Sequence, residues 1–165
     1  MRIFKRKIYD KLLLCKQQRD GQTAVLIEGA RRVGKSTIVK QFADNEYESY
    51  ILIDFSIAPA EIIDLFNHIH ELDYFFMKLQ FHYGVRLTER KSLIIFDEVQ
   101  RCPKARQAIK YLVADHRYDY IETGSLISIK KNVKDIVLPS EEQRLYMYPL
   151  DYEEFKWALG DEISM

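Results

Sequence analysis

The sequence has 165 residues, of which 47% are hydrophobic and 30% are charged, and its 25 basic and 25 acidic residues give no net charge. This composition predicts one globular domain and argues against a disordered chain or a strongly basic nucleic-acid binder. No apolar stretch approaches the ~20 residues of a membrane span, and two cysteines are too few for a disulfide framework, so a cytoplasmic protein is expected.

The first 20 residues are predicted to form a basic amphipathic helix. Phe4, Ile8, Leu12 and Cys15 follow one another at intervals of four, four and three residues, which places them on one helical face. Seven basic and two acidic side chains lie in this segment. Such a segment could contact nucleic acid or an acidic partner, but a solvated helix face is the simpler interpretation. It precedes a globular core predicted over residues 21–160.

Short apolar runs alternate with helical patterns along this core. Five strands are predicted, at residues 24–27, 50–55, 92–97, 120–123 and 145–148. Helices are predicted over residues 35–44 and 60–83, from Pro103, and after Asp151. Strands that read as continuous apolar runs are buried on both faces, so the alternation predicts an α/β fold with a parallel sheet covered by helices on both sides.

A glycine-bounded loop connects the first predicted strand to the next helix. It reads Gly29-Ala30-Arg31-Arg32-Val33-Gly34-Lys35-Ser36, followed by Thr37, and fits the phosphate-loop pattern G-x-x-x-x-G-K-[ST]. The glycines let successive backbone N–H groups face one anion, and the helix that follows adds its positive dipole end. Lys35, expected to be exposed without nucleotide, would reach the β- and γ-phosphates, and Ser36 would bind Mg²⁺.

Two acidic residues and a threonine follow the third and fourth predicted strands. Asp97 ends an apolar strand and is expected to hold Mg²⁺ opposite Ser36, because nucleotides bind at the carboxyl edge of such sheets. Glu98 is placed to polarise a water molecule for attack on the γ-phosphate. Thr123, at the end of the fourth strand, could hydrogen-bond that water or the phosphate, although Thr-Gly-Ser is also an ordinary turn.

Five segments together resemble one protein family. They read GARRVGKSTIVKQFA, YILIDFS, LIIFDEVQ, IETGSL and YPLDYEEF. The family is the prokaryotic AAA-type ATPases of the additional-strand, catalytic-glutamate class, whose full-length members carry an uncharacterised C-terminal region. The resemblance extends from about Phe4 to Leu159, and the Asp-Glu-x-Gln ending of the third strand is among its more specific parts.

The resemblance implies a three-layer, ATP-binding core with a five-stranded, mostly parallel sheet in the order 5-1-4-3-2. It implies that Glu98 is the catalytic glutamate and Thr123 a polar sensor. It also implies that Arg144, just before the last strand, acts in trans as an arginine finger, although Gln143 precedes it where many relatives have glycine. The helical lid and C-terminal domain of relatives are expected to be absent.

The sequence therefore predicts an ATPase core that uses ATP and Mg²⁺ to drive a conformational change and is slow as an isolated chain. It could form a homo-oligomer through a trans arginine, and no membrane partner is expected. Two alternatives stay open: a nucleotide-dependent switch that binds DNA or a protein with negligible turnover, and a small-molecule P-loop kinase. The position of Glu98 directly after Asp97 favours hydrolysis over phosphoryl transfer to a metabolite.

Overall fold

The computed structural model describes residues 7–29, 34–125 and 142–147. Helices and strands alternate along most of these residues, as the apolar pattern predicts. The α-helices are α1 (Lys7–Arg19), α2 (Lys35–Glu46), α3 (Ala60–Leu65), α4 (Leu72–Tyr83) and α5 (Pro103–Asp115). The strands are β1 (Ala24–Gly29), β2 (Ser49–Asp54), β3 (Ser92–Asp97), β4 (Asp119–Ser125) and β5 (Glu142–Met147), and a 3₁₀ turn spans Val99–Arg101.

The five strands form one parallel sheet in the order β2-β3-β4-β1-β5. Read from the other edge, this is the predicted order 5-1-4-3-2, so the fold prediction is confirmed. Asp54 pairs with Asp97, and Gly29 pairs with both Ser125 and Met147. The carboxyl ends of the strands therefore meet at one edge of the sheet, where the phosphate-loop pattern begins.

Helices cover both faces of the sheet. On one face α1 and α2 pack against alternate strand residues; the buried side chains include Leu12, Phe42, Ile27 and Ile95. On the other face α3, α4 and α5 pack against the remaining residues; the buried side chains include Phe66, Phe75, Leu112, Leu26 and Phe96. Every residue of β1 and β3 is buried, as two-sided burial requires.

The helix predicted over residues 60–83 is two helices, and that prediction was wrong. The chain turns after α3, where the Asn67 N–H donates to the Asp64 carbonyl and the Asn67 amide to the Asp64 carboxylate. Side-chain hydrogen bonds of this kind compete with the helical pattern. Phe66 packs edge-on against Phe55, Phe75 and Phe96, which fixes the turn on the core. The apolar spacing continues across the break because α3 and α4 cover the same sheet face.

The last two strands begin earlier than predicted. β4 spans Asp119–Ser125, so Thr123 lies inside it, and β5 begins at Glu142 rather than at residue 145.

At the other end of the chain, Ile8, Leu12 and Cys15 of α1 are buried as the spacing predicts, and Phe4 lies outside the described residues. The helix predicted after Asp151 also lies outside them. No helix in the described part of the chain is long and apolar enough to cross a membrane.

Candidate nucleotide site

The phosphate-loop pattern connects β1 to α2, and the structure describes both ends of it. Gly29 is the last residue of β1, and Gly34 precedes α2 with φ 93° and ψ 21°, a left-handed conformation that glycine adopts without strain. The first turn of α2 contains no acidic residue, so no side chain of the helix itself offsets the positive end of its dipole. Residues 30–33 of the pattern lie outside the described residues.

Lys35 is buried, contrary to the expectation that it is exposed without nucleotide. Its side chain is 5% exposed, and its Nζ donates a hydrogen bond to the Gly29 carbonyl oxygen at 3.0 Å. The ammonium group therefore bridges the two ends of the loop. This contact holds the charge beside the backbone groups that would surround an anion.

Ser36, Asp97 and Thr123 form one hydrogen-bonded unit at the carboxyl edge of the sheet. Ser36 Oγ donates to Asp97 Oδ1 at 2.8 Å, and Thr123 Oγ1 donates to the same oxygen at 2.5 Å. Asp97 is only 7% exposed, and two hydroxyl donors stabilise its carboxylate there. The unit joins the first turn of α2 to the ends of β3 and β4, three elements that are distant in sequence.

Glu98 occupies a strained backbone position beside this unit. Its φ of 58° and ψ of 49° are left-handed, which costs a residue other than glycine about 1–3 kcal/mol. The Glu98 N–H donates to Thr123 Oγ1 at 3.2 Å, and its carboxylate accepts a hydrogen bond from Gln100 Nε2 at 2.6 Å. Such strain persists only where the surroundings hold it, and here Thr123 and Gln100 hold Glu98 from two sides.

A cavity of about 460 Å³ opens in front of Glu98 and the first turn of α2, whereas Asp97 and Thr123 are buried and do not line it. It brings together the predicted residues Gly34, Lys35, Ser36, Thr37 and Glu98 with two others, Ser56 and Arg101. Sequence reasoning assigned no role to Ser56 or Arg101, and their only signal was position, since they closely follow β2 and β3 at the carboxyl edge. Gln100 belongs to the Asp-Glu-x-Gln ending that carries part of the resemblance, although no role was predicted for it.

Arg144 lies inside β5, not before it as the resemblance implies. It pairs in register with Leu26, three residues before Gly29, and so lies about 10 Å back from the sheet edge at 3.3 Å per residue. Its Nη1 lies 3.3 Å from Glu28 Oε1, and its Nε lies 3.9 Å from Glu142 Oε1. The guanidinium therefore has anionic partners within its own chain.

Three buried carboxyl groups, Glu28, Glu122 and Glu142, lie on adjacent strands and form what we call the buried glutamate cluster. Arg106 of α5 donates to both oxygens of Glu142, at 2.8 and 3.2 Å. Burial, together with the neighbouring Glu142, raises the pKa of Glu122 well above its ordinary value. Burial also acts to raise the pKa of Glu142, but interactions with Glu122 and Arg106 outweigh it and lower that pKa. Of Glu122 and Glu142, Glu122 is therefore the one whose protonated form is favoured.

In this parallel sheet a glycine-bounded loop connects a buried strand to a helix, and a serine and an aspartate are hydrogen-bonded beside it. This arrangement defines a P-loop nucleotide-binding domain. A family model described as an AAA domain matches residues 21–156. The chain belongs to this family, and the resemblance to AAA-type ATPases is confirmed. It is a nucleotide-binding AAA ATPase domain.

A solved structure supports the fold. The Holliday junction branch migration motor RuvB of Thermotoga maritima matches with a TM-score of 0.53 and 13% sequence identity over 97% of this chain and 52% of that chain. At this identity the likeness concerns the fold alone, and this chain spans about half the length of the RuvB chain. No curated protein sequence matches the chain significantly.

Proposed function

We propose that this domain binds MgATP and hydrolyses it to drive a conformational change. The observation that carries the proposal is the hydrogen-bonded unit of Ser36, Asp97 and Thr123, which lies next to both Lys35 and Glu98. Triphosphate binding requires a cation, backbone N–H donors and a helix N-terminus at one place. Lys35, the left-handed Gly34 and the start of α2 supply these at the mouth of the cavity.

The hydroxyl of Ser36 and the carboxylate of Asp97 fit a magnesium ion. Mg²⁺ prefers oxygen ligands and retains most of its water, so one or two protein oxygens beside a triphosphate suffice. The Ser36 and Asp97 oxygens lie 2.8 Å apart, Ser36 lines the cavity, and both oxygens are ligand types that Mg²⁺ accepts. The ion, when bound, would neutralise charge on the phosphates.

Glu98 and Thr123 are proposed to act on the attacking water. The Glu98 carboxylate lines the cavity and can accept a hydrogen bond from water, which orients the water toward the γ-phosphate. Thr123 lies within the same network because its Oγ1 contacts both Asp97 and the Glu98 N–H. A nucleotide that occupies the cavity would therefore contact α2 and Glu98 directly, and Thr123 would act through Asp97 and the Glu98 N–H.

A nucleotide-dependent switch with little turnover is the second candidate. The position of Arg144 supports it, because its guanidinium pairs with Glu28 inside its own chain and would have to leave that carboxylate to reach a neighbouring subunit. Fast hydrolysis in this chemistry usually requires an arginine at the γ-phosphate, an effect of roughly 10³–10⁵ in rate. Phosphate release that rises with protein concentration, or on addition of DNA, would favour the motor over the switch.

Calorimetric titration with MgATP tests the binding site. Lys35→Ala removes the ammonium, and we expect ATP affinity to fall by about 10- to 100-fold, the value of a charge-assisted hydrogen bond. Lys40→Ala, an exposed lysine on the same helix, is the matched control and should bind ATP as the wild type does. Because Lys35 also contacts Gly29, thermal unfolding of both variants is measured first. Equal ATP affinity in all three proteins would refute the site.

A further inference from the structure

The side chain of Gln100 reaches back to the Glu98 carboxylate. Its Nε2 donates to Glu98 Oε2 at 2.6 Å, although only one residue separates the two in sequence. Gln100 is buried, at 8% exposed, whereas the Glu98 side chain lines the cavity. The amide therefore holds the carboxylate from the protein side and leaves it facing the cavity.

The backbone between the two residues makes this contact possible. The left-handed conformation of Glu98 starts a 3₁₀ turn in which the Arg101 N–H donates to the Glu98 carbonyl at 3.1 Å. The Cys102 N–H donates to the Val99 carbonyl at 3.0 Å, and Val99 and Cys102 are both buried in the core. Because this turn is anchored in the core, it directs the Gln100 side chain inward, against the Glu98 carboxylate.

We propose that Gln100 is a positioning residue for Glu98, a role that rests on the proposed hydrolysis of ATP. A glutamate side chain at a cavity wall has several rotamers of similar energy, and only some of them direct its oxygens at an attacking water. The Gln100 amide holds Oε2 and so selects one carboxylate orientation without neutralising its charge. An arginine or lysine at this position would form an ion pair and make Glu98 a weaker hydrogen-bond acceptor for water.

A role limited to stabilising the 3₁₀ turn predicts different results. In that case, loss of the amide would lower stability, and ATP hydrolysis would change only through the folded fraction. A positioning role instead lowers the hydrolysis rate constant of the folded protein and leaves ATP affinity unchanged.

The test measures ATP affinity by calorimetry and the rate constant of phosphate release in single turnover on the folded 165-residue chain. For Gln100→Leu, which removes the donor at similar size, we expect release to slow on the order of 10- to 100-fold at unchanged ATP affinity. For Gln100→Glu, whose carboxylate repels that of Glu98 instead of donating to it, we expect a similar slowing at unchanged ATP affinity. Gln107→Glu, on the exposed surface of α5, is the matched control and should release phosphate at the wild-type rate.

The outcomes separate this inference from the proposed function. Wild-type release rates in both Gln100 variants, with Glu98→Gln inactive, would overturn the positioning role alone. If the wild-type chain binds ATP but releases no phosphate, the proposed hydrolysis fails, and the positioning role fails with it. If Gln100→Leu does not fold, the release rate of Gln100→Glu decides: slower release at unchanged ATP affinity supports the role, and a wild-type rate refutes it.

Discussion

Arg144 and Glu28 lie on the neighbouring strands β5 and β1, with Nη1 of the arginine 3.3 Å from Oε1 of the glutamate. Glu28 is fully buried, and Arg144 is about one-third exposed. The resemblance to AAA-type ATPases implies an arginine that leaves its own subunit. Here the arginine instead faces the buried carboxylate of Glu28. Removal of the guanidinium would leave that carboxylate without enough positive charge beside it.

This pair predicts that Arg144→Ala lowers stability. We expect the free energy of unfolding to fall by about 1–3 kcal/mol, because a buried acceptor loses its charged partner. Urea denaturation measures the change, with the exposed Arg86→Ala as the control that should stay within about 0.5 kcal/mol of wild type. Unchanged stability in Arg144→Ala, combined with loss of a concentration-dependent rise in ATPase activity, would instead support the finger role.

The raised pKa of Glu122 makes stability depend on pH. As pH rises above about 4.3, the ordinary glutamate value, the unfolded chain releases this proton while the folded chain retains it, so stability falls until the folded pKa is passed. Glu122→Gln mimics the protonated carboxyl group and removes this loss. We therefore expect the stability of Glu122→Gln relative to wild type to increase from pH 4 to pH 8.

Urea denaturation at several pH values checks this prediction. Glu89→Gln, an exposed substitution of the same type, should keep a constant difference from wild type across the range. A Glu122→Gln difference that is flat with pH, or that decreases, would show that Glu122 is ionised in the folded protein. The buried glutamate cluster would then carry more negative charge than the arginines beside it can balance.

Asp97 and Ser36 predict that magnesium and nucleotide binding are linked. Asp97→Asn retains an oxygen that can accept the hydrogen bonds from Ser36 and Thr123 but loses the charge that attracts a cation. We expect ATP affinity in this variant to become nearly independent of Mg²⁺, whereas affinity without Mg²⁺ stays close to wild type. Titrations with and without Mg²⁺ measure this, with the exposed Asp10→Asn as control; an unchanged Mg²⁺ effect in Asp97→Asn would exclude it as a ligand.

The strands of the sheet and the phosphate-loop pattern at its edge could be predicted because the sequence patterns that indicate them are local. Buried parallel strands read as apolar runs, and the spacing from Gly29 to Ser36 is one continuous pattern. The hydrogen bonds that join Ser36, Asp97 and Thr123 follow from the sheet order, since they connect the ends of elements that this order brings together. The break between α3 and α4 could not be predicted, because an apolar period continues across it.

The early start of β5 and the buried glutamate cluster could not be predicted for a different reason. Glu142 and Arg144 are charged and read as a loop. The burial of the Glu142 side chain is tolerated because Arg106 of α5 pairs with it, and Arg144 pairs with Glu28 of β1. The burial of Lys35 depends in the same way on the Gly29 carbonyl. Compensation between charges distant in sequence is a property of the assembled sheet and leaves no local pattern.

Glu98→Gln gives the most direct test of ATP hydrolysis by this domain. The substitution keeps the size of the side chain and removes the charge that orients water, so MgATP affinity should match wild type while single-turnover phosphate release falls on the order of 10²-fold or more. Glu89→Gln, exposed and remote from the cavity, should release phosphate at the wild-type rate. If Glu98→Gln binds ATP and releases phosphate as fast as wild type, Glu98 does not act on the water, and the account of the site is wrong.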